Sequence, residues 1–239
     1  MTDYFEGERL QKVLSRLGIA SRRQSEIYIV DSRIRINEKI AVLGDRVDVT
    51  KDKIYLDEIL LDLNPNLVAY LLNKPPKVVS TVSDPQRRKK VVDFVPKSPK
   101  VYPVGRLDYD SEGLIILTND GDLAYSVTHP SKKLVKTYVA EVDRSISIGH
   151  IRQLRSGISL DDKITLPAKV STIGDRILEI KISEGRNRQI RRMLQQLGYD
   201  VVRLIRTQIG PIKDSGLKTG QFRKLEFEEL NALRKSVSA

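Results

Sequence analysis

The segment GRLDYDSEGLIILTNDGDL, residues 105–123, sets Asp108, Asp110 and Glu112 between Gly105 and Gly113 and then runs into an apolar strand. A carboxylate in a loop held by rigid flanks is placed for nucleophilic or acid–base work. The alternation of acids before Gly113, with Ile115 in the apolar position, also fits the start of a calcium loop. That fit fails at the twelfth position, where Asn119 stands in place of a bidentate Glu, and the flanks read as strands rather than helices. Acids that only cap turns are the plain alternative.

Two further segments have chemical potential. In KLVKTYVAEV, 133–142, Tyr138 sits in an alternating strand, where a half-buried tyrosine is ordinarily core. In SEGRNRQIRRMLQQLG, 183–198, Gly185 lets the backbone turn from strand into helix. Ile190, Met193, Leu194 and Leu197 form the buried stripe, leaving Arg188, Arg191 and Arg192 to face a site or solvent. Cysteine is absent, which excludes disulfides, thiolate catalysis and Cys-ligated clusters. Only His129 and His150 offer imidazoles, too few for a multi-histidine metal site. No G-x-x-x-x-G-K-[ST] loop for phosphoryl transfer occurs.

The elements that must position these groups fall into two parts. Residues 1–62 and 67–239 are separated by the polar connector DLNPN, 62–66. In the first part Leu10, Val13, Leu14 and Leu17 recur at helical spacing, and Gly18 ends the helix. Ser21 followed by Gln24 marks the start of a second helix, and short strands follow with turns near Asn37-Glu38 and Gly44-Asp45. Arg9, Lys12, Arg16, Arg22 and Arg23 form a basic edge with no acid between Arg9 and Arg23, either a solvated face or an anion-docking surface. The second part alternates β-rich runs (LIILT, TYVAEV, ILEIKI, VVRLIRTQIG) with helical stretches near 121–128, 147–155 and 187–197. No regular βαβ period runs through it, so an α+β domain on a largely antiparallel sheet is expected. Over all 239 residues, 42 Lys and Arg against 31 Asp and Glu give a net charge of +11, which favours a polyanionic partner, nucleic acid first. The start MTDYFEGERL reads as neither secretory signal nor transit peptide, and no run of 18 apolar residues occurs, so a cytoplasmic protein without a membrane span is expected.

Taken together, RLQKVLSRLGIASRRQSE, RIRIN, LNKPPKVVST, GRLDYDSEGLIILTNDG, KTYVAEV and EGRNRQIRRM resemble, in order, the motifs of the bacterial ribosomal RNA pseudouridine synthases that join an S4 domain to a catalytic domain. Residues 9–55 are similar to an S4 RNA-binding domain, and the rest to the catalytic domain on its mixed, largely antiparallel sheet with flanking helices. Glu38 and Lys77 stand where the family often has glycine. Of the family's two branches, one modifying 16S and the other 23S ribosomal RNA, the run 184–210 looks closer to the 23S one. The same reaction on 16S RNA and a non-catalytic assembly factor are the alternatives.

The resemblance implies that Asp108 is the catalytic aspartate, that Tyr138 packs on the target base, and that Arg191 is the ion-pair partner of Asp108. It also implies that Ile190 lies beneath the base and that Arg106 and Arg186 contact RNA beside the flipped nucleotide. No cofactor or metal is implied. Ribosomal RNA with a flippable uridine, met on ribosome assembly intermediates by a monomer, is the implied partner. The chemistry agrees with a single carboxylate. Glycoside hydrolysis needs two, because water must be activated and a leaving group protonated. When the leaving base itself returns to the sugar, one can suffice. Nucleophilic and basic roles for Asp108 both remain open at this level.

Overall fold

The computed structural model describes residues 7–63, 66–213 and 216–236; Asn64 and Pro65 of the connector and the acid-containing start, residues 1–6, lie outside them. The chain divides into two compact units, the first running to Val68 and including 98–101 and 119–121, the second comprising the remainder.

In the first unit, β1 (Glu8–Arg9) leads into α1 (Leu10–Arg16), followed by α2 (Arg22–Val30), β2 (Ile34–Ile36), β3 (Lys39–Ile40), β4 (Arg46–Val47), β5 (Ile54–Leu56) and β6 (Ile59–Leu60). A two-turn helix such as α1 is too short to be stable alone. It is held by the complete burial of Leu10, Val13 and Leu14 against Ile29, Ile34, Val47 and Ile54, at about 2 kcal/mol for each such side chain. Gly18 takes φ 72° just beyond it, and the Ser21 hydroxyl accepts from the Gln24 amide at 3.2 Å to start α2, as the spacing predicts. Strands β3-β2-β5-β6 form an antiparallel sheet, and Asn37 makes the β2–β3 turn at φ 51°.

The second unit is built on one nine-stranded sheet. Its elements are β7 (Ala69–Lys74), β8 (Tyr102–Val104), β9 (Glu112–Thr118), α3 (Gly121–Thr128), β10 (Lys136–Val142), α4 (Ile148–Ser156), β11 (Ser159–Leu160), β12 (Lys163–Ile164), β13 (Lys169–Gly174), β14 (Ile177–Ile182), α5 (Gln189–Gln196), β15 (Val201–Ile209), β16 (Ile212–Lys213), β17 (Phe222–Lys224) and α6 (Phe227–Lys235). The order is β13-β14-β10-β15-β9-β7-β17, with β16 on β15 and β8 on β9, while β11 and β12 form a separate hairpin. Every pairing is antiparallel except β15 with β9, so the expected mixed, largely antiparallel sheet is what forms. Helices cover both faces. Ile151 and Leu154 of α4 and Ile190, Met193 and Leu194 of α5 share a core with Ala140, Leu178, Ile180 and Leu204, whereas α3 and α6 close a second core with Leu71, Leu114 and Ile116. Strands β13 and β17 and helix α6 were not among the sequence expectations. Among the described residues no helix is long and apolar enough to cross a membrane.

Candidate active site

The register of the sheet aligns the segments singled out above. Tyr138 on β10 pairs with Arg206 on β15, Arg206 with Gly113 on β9, and Gly113 with Lys74 on β7, so four strands contribute one row. At about 4.8 Å per strand, the Tyr138 and Gly113 backbones are roughly 10 Å apart. Only glycine fits at 113. It has φ 102°, and a Cβ there would lie 2.2 Å from the Arg206 carbonyl oxygen. That close approach lets β9 and β15 pair in parallel beside the loop bearing Asp108.

The loop itself is pinned. The Ser80 hydroxyl donates to the Leu107 carbonyl at 2.8 Å and accepts from the Leu107 amide at 3.1 Å, and the Lys77 amide donates to the Tyr109 carbonyl at 2.6 Å. Lys77 holds φ 61° to do so, in the left-handed region where the resemblance expects glycine. Ser111 closes the turn by donating its amide to the Asp108 carbonyl. Asp108 is thereby presented to a cavity of about 490 Å³ lined by Ser80, Asp84, Arg88, Arg106, Tyr109 and Arg188 among others.

The charges around Asp108 differ from the expected pairing. Arg191 is not its partner: one arm donates to the Val201 carbonyl at 2.9 Å, and the other reaches Asp110, the carbonyl at 3.3 Å and the carboxylate at 3.5 Å. Position 191 lies in the first turn of α5 facing β15, so its guanidinium reaches the Asp110 end of the loop turn. The cation nearest Asp108 is Arg188, 4.0 Å away, and its stronger contact is with Asp110 at 3.0 and 3.3 Å. Arg188, not Gly185, makes the turn into α5, with φ 47°. Partial burial pushes Asp110 up, but the Arg188 hydrogen bonds and the Arg191 charge outweigh it and hold the carboxyl below its usual value. Among the described residues Asp108 accepts no side-chain hydrogen bond, whereas Asp84, the other carboxylate of the cavity, is bound by Arg88 at 2.6 and 3.1 Å.

Other expected residues fall nearby or elsewhere. Ile190 is 4% exposed, and the half-buried Tyr138 ring packs against the same core; neither lines the cavity. Arg106 does. The Arg186 guanidinium is tied to the β11–β12 hairpin, donating to the Lys163 and Ile164 carbonyls at 2.9 and 2.7 Å and to Glu184 at 3.3 Å. Gln189 joins the buried face of α5, and Leu197 is only partly buried. The calcium reading ends with Asn119, buried and engaged by the Val68 amide and Asn66 carbonyl, and with strands on both sides of the loop. On the first unit the basic edge is not free of acids. Glu8, one residue before the stretch, pairs with Lys12 at 2.9 Å and Arg16 at 2.8 Å. Arg9 leans on the Gly44 carbonyl, and Arg22 and Arg23 are exposed in a first turn that contains no acid.

Sequence reasoning missed Lys74. It is fully buried at the end of β7, donates to the Pro75 and Val78 carbonyls at 2.9 and 3.0 Å, and is pushed down to about 8 by burial, against the pull of Asp110, Asp108 and Glu112. The signal was present: Tyr70, Leu72 and Lys74 alternate, which places the lysine on an inward register. Arg206 was likewise counted only as charge. It is 5% exposed, with one arm on the Leu114 carbonyl and Nη2 without a partner.

Comparison with known proteins agrees with this architecture. Residues 68–196 match the family described as RNA pseudouridylate synthase, and residues 8–54 match the S4 domain. The ribosomal large subunit pseudouridine synthase B of Bacillus subtilis (strain 168) is 39% identical over 95% of this chain and 96% of its own. The dual-specificity RNA pseudouridine synthase RluF of Escherichia coli (strain K12) is 38% identical over 96% of this chain and 79% of its own. A crystal structure of a pseudouridylate synthase superposes with a TM-score of 0.70 at 30% identity, covering 95% of this chain and 99% of that one. An S4 domain followed by that catalytic sheet, with a loop aspartate facing an arginine-lined cavity, places the chain in the RNA pseudouridylate synthase family.

Proposed function

We propose that the protein converts a uridine of 23S ribosomal RNA to pseudouridine, with Asp108 as the reacting carboxylate. The observation that carries this is that this group lacks a side-chain hydrogen bond among the described residues and has Arg188 as its nearest cation, at 4.0 Å. Of the two carboxylates facing the cavity, Asp84 is spoken for by Arg88, and Asp108 alone accepts no side-chain hydrogen bond among the described residues. One carboxylate without a side-chain hydrogen bond suits a reaction in which the N1–C1′ bond breaks, the uracil turns, C5 bonds to C1′, and the proton lost from C5 is matched by one taken up at N1. It does not suit hydrolysis with a carboxylate pair. Arginines 88, 106 and 188 give the cavity the charge to receive an RNA backbone. The target base must leave its stack to reach Asp108, and Tyr138, on the strand row level with the loop, is the ring assigned to support it. Residues 1–62, with Arg9, Arg22 and Arg23 outward, hold phosphates and supply affinity.

Release of tritium from C5-labelled uridine in ribosomal RNA transcripts tests the reading. Asp108→Asn should lose at least about a thousandfold in rate while binding RNA within a few fold; activity within about tenfold of the parent refutes the role of Asp108. Carbodiimide mapping in RNA from cells lacking and regaining the gene identifies which ribosomal RNA is modified. On this reading the RNA is met in the cytoplasm on ribosome assembly intermediates by a monomer, which co-sedimentation with precursor particles checks.

A further inference from the structure

Two guanidinium groups converge on one exposed carboxylate beside the cavity. Arg188 grips Asp110 with both terminal nitrogens, at 3.0 and 3.3 Å, and Arg191 approaches it at 3.5 Å. Asp110 is 47% exposed and Arg188 44% exposed, so the pair lies open to solvent and any incoming chain. Arg188, at φ 47°, is the N-cap residue of α5, and its guanidinium, which has only donors to offer, turns away from the helix start to the loop acid. The other rim arginine bound to an acid is treated alike, Arg88 being held by Asp84. Nothing in the chemistry assigned to Asp108 uses Asp110. A carboxylate and a phosphodiester both offer two oxygens to a guanidinium fork, and an exposed carboxylate pair is weak enough for a phosphate to replace it.

We propose that Asp110 is an internal stand-in for an RNA phosphate: it occupies a phosphate subsite formed by Arg188 and Arg191 at the mouth of the Asp108 cavity, and only an RNA that delivers a phosphate there displaces it. The carboxylate then acts as a specificity element. It withholds the Arg188 contact from RNA that merely lies along the basic surface, and yields it to RNA seated with a nucleotide in the cavity. This inference rests on the reading of the site as an RNA-modifying one.

The test compares two probes on the full chain: a 23S ribosomal RNA transcript in which the wild type forms pseudouridine, and an oligouridylate in which it forms none. With Asp110→Asn, the oligouridylate should bind more tightly and its log–log salt slope should steepen by about 0.7, one added phosphate contact on a single strand. The transcript slope should stay unchanged, because its phosphate already sits there. Adding Arg188→Gln should return oligouridylate binding to the wild-type slope, and Asp110→Ala should reproduce Asp110→Asn. Equal steepening for both probes, or none for either, overturns the proposal while leaving the assignment of Asp108 intact. A wild type that forms pseudouridine in no RNA overturns the underlying reading, and this inference with it.

Discussion

Replacing Lys74 by Met isolates what a buried cation contributes under the Asp108 loop. The ammonium is fully buried and bonded to two carbonyls, and burial depresses it from 10.5 to about 8 even though Asp110, Asp108 and Glu112 draw the other way. That difference corresponds to about 3 kcal/mol of cost for the charged form on folding. Methionine removes this cost but leaves the Pro75 and Val78 carbonyls unpaired, at about 1 to 3 kcal/mol each. Near pH 7 the two effects largely offset, and Lys74→Met should destabilise by no more than about 3 kcal/mol. The pH dependence is the sharper quantity. The folded-state value lies below that of the unfolded chain, so the folded protein releases the proton first. Stability from this group is therefore flat below about 8 and rises between about 8 and 10.5. From about pH 7 to about pH 9.5 the wild type should gain about 2 kcal/mol that the variant does not. Lys136, also depressed to about 8 by burial, titrates in both proteins and cancels in the difference. Urea unfolding of both proteins at the two pH values measures it, and parallel stabilities, equal within the extrapolation error, would refute the account of Lys74 as a cation held against its desolvation.

Other outcomes follow from the same geometry. Gly113→Ala should destabilise by about 2 to 4 kcal/mol, read by urea unfolding, because its Cβ meets the Arg206 backbone and its φ is left-handed. Replacing Arg9, Arg22 and Arg23 by Gln should lower the RNA salt slope by about 0.7 to 0.9 for each lost contact, whereas Lys12→Gln and Arg16→Gln, already paired with Glu8, should lower it less. Tyr138→Phe should keep the ring and most tritium release, while Tyr138→Ala should lose activity and also about 3 kcal/mol or more of stability, since the ring packs on the α5 core.

The elements were largely legible because their periods are clean. ILEIKI is β14 residue for residue, and the stretch near 121–128 is α3. What escaped was set by distance in sequence. Strand β17 is three residues whose pairing with β7 exists only once the sheet does, and α6 is recognisable mainly through its capping box at Glu226 and Glu229. Charge partners were the least legible of all. Arg191 and Arg188 differ by one helical turn, and whether either reaches Asp108 or Asp110 depends on the loop conformation imposed by Ser80 and Lys77, residues carried by a different segment. Glu8 escaped for a simpler reason: an acid just outside a basic stretch is invisible to a count within it, yet α1, which begins two residues later, brings both Lys12 and Arg16 within reach of it.

The row Lys74, Gly113, Arg206 and Tyr138 explains why the site can remain cationic without collapsing. Two of its members are buried cations, Lys74 and Arg206, each bonded to backbone carbonyls rather than to a carboxylate at ion-pair distance. Placed under the loop, Lys74 favours ionised Glu112 through space, while the loop carboxylates make their own contacts; Glu112 takes Arg203 at 2.8 and 2.9 Å, and Asp110 takes Arg188. Had Lys74 formed a direct ion pair with Asp108, that carboxylate would be locked into a buried pair, which is expensive to break. By satisfying the cation with carbonyls, the sheet places positive charge beneath the loop and leaves the Asp108 carboxylate open on its cavity side.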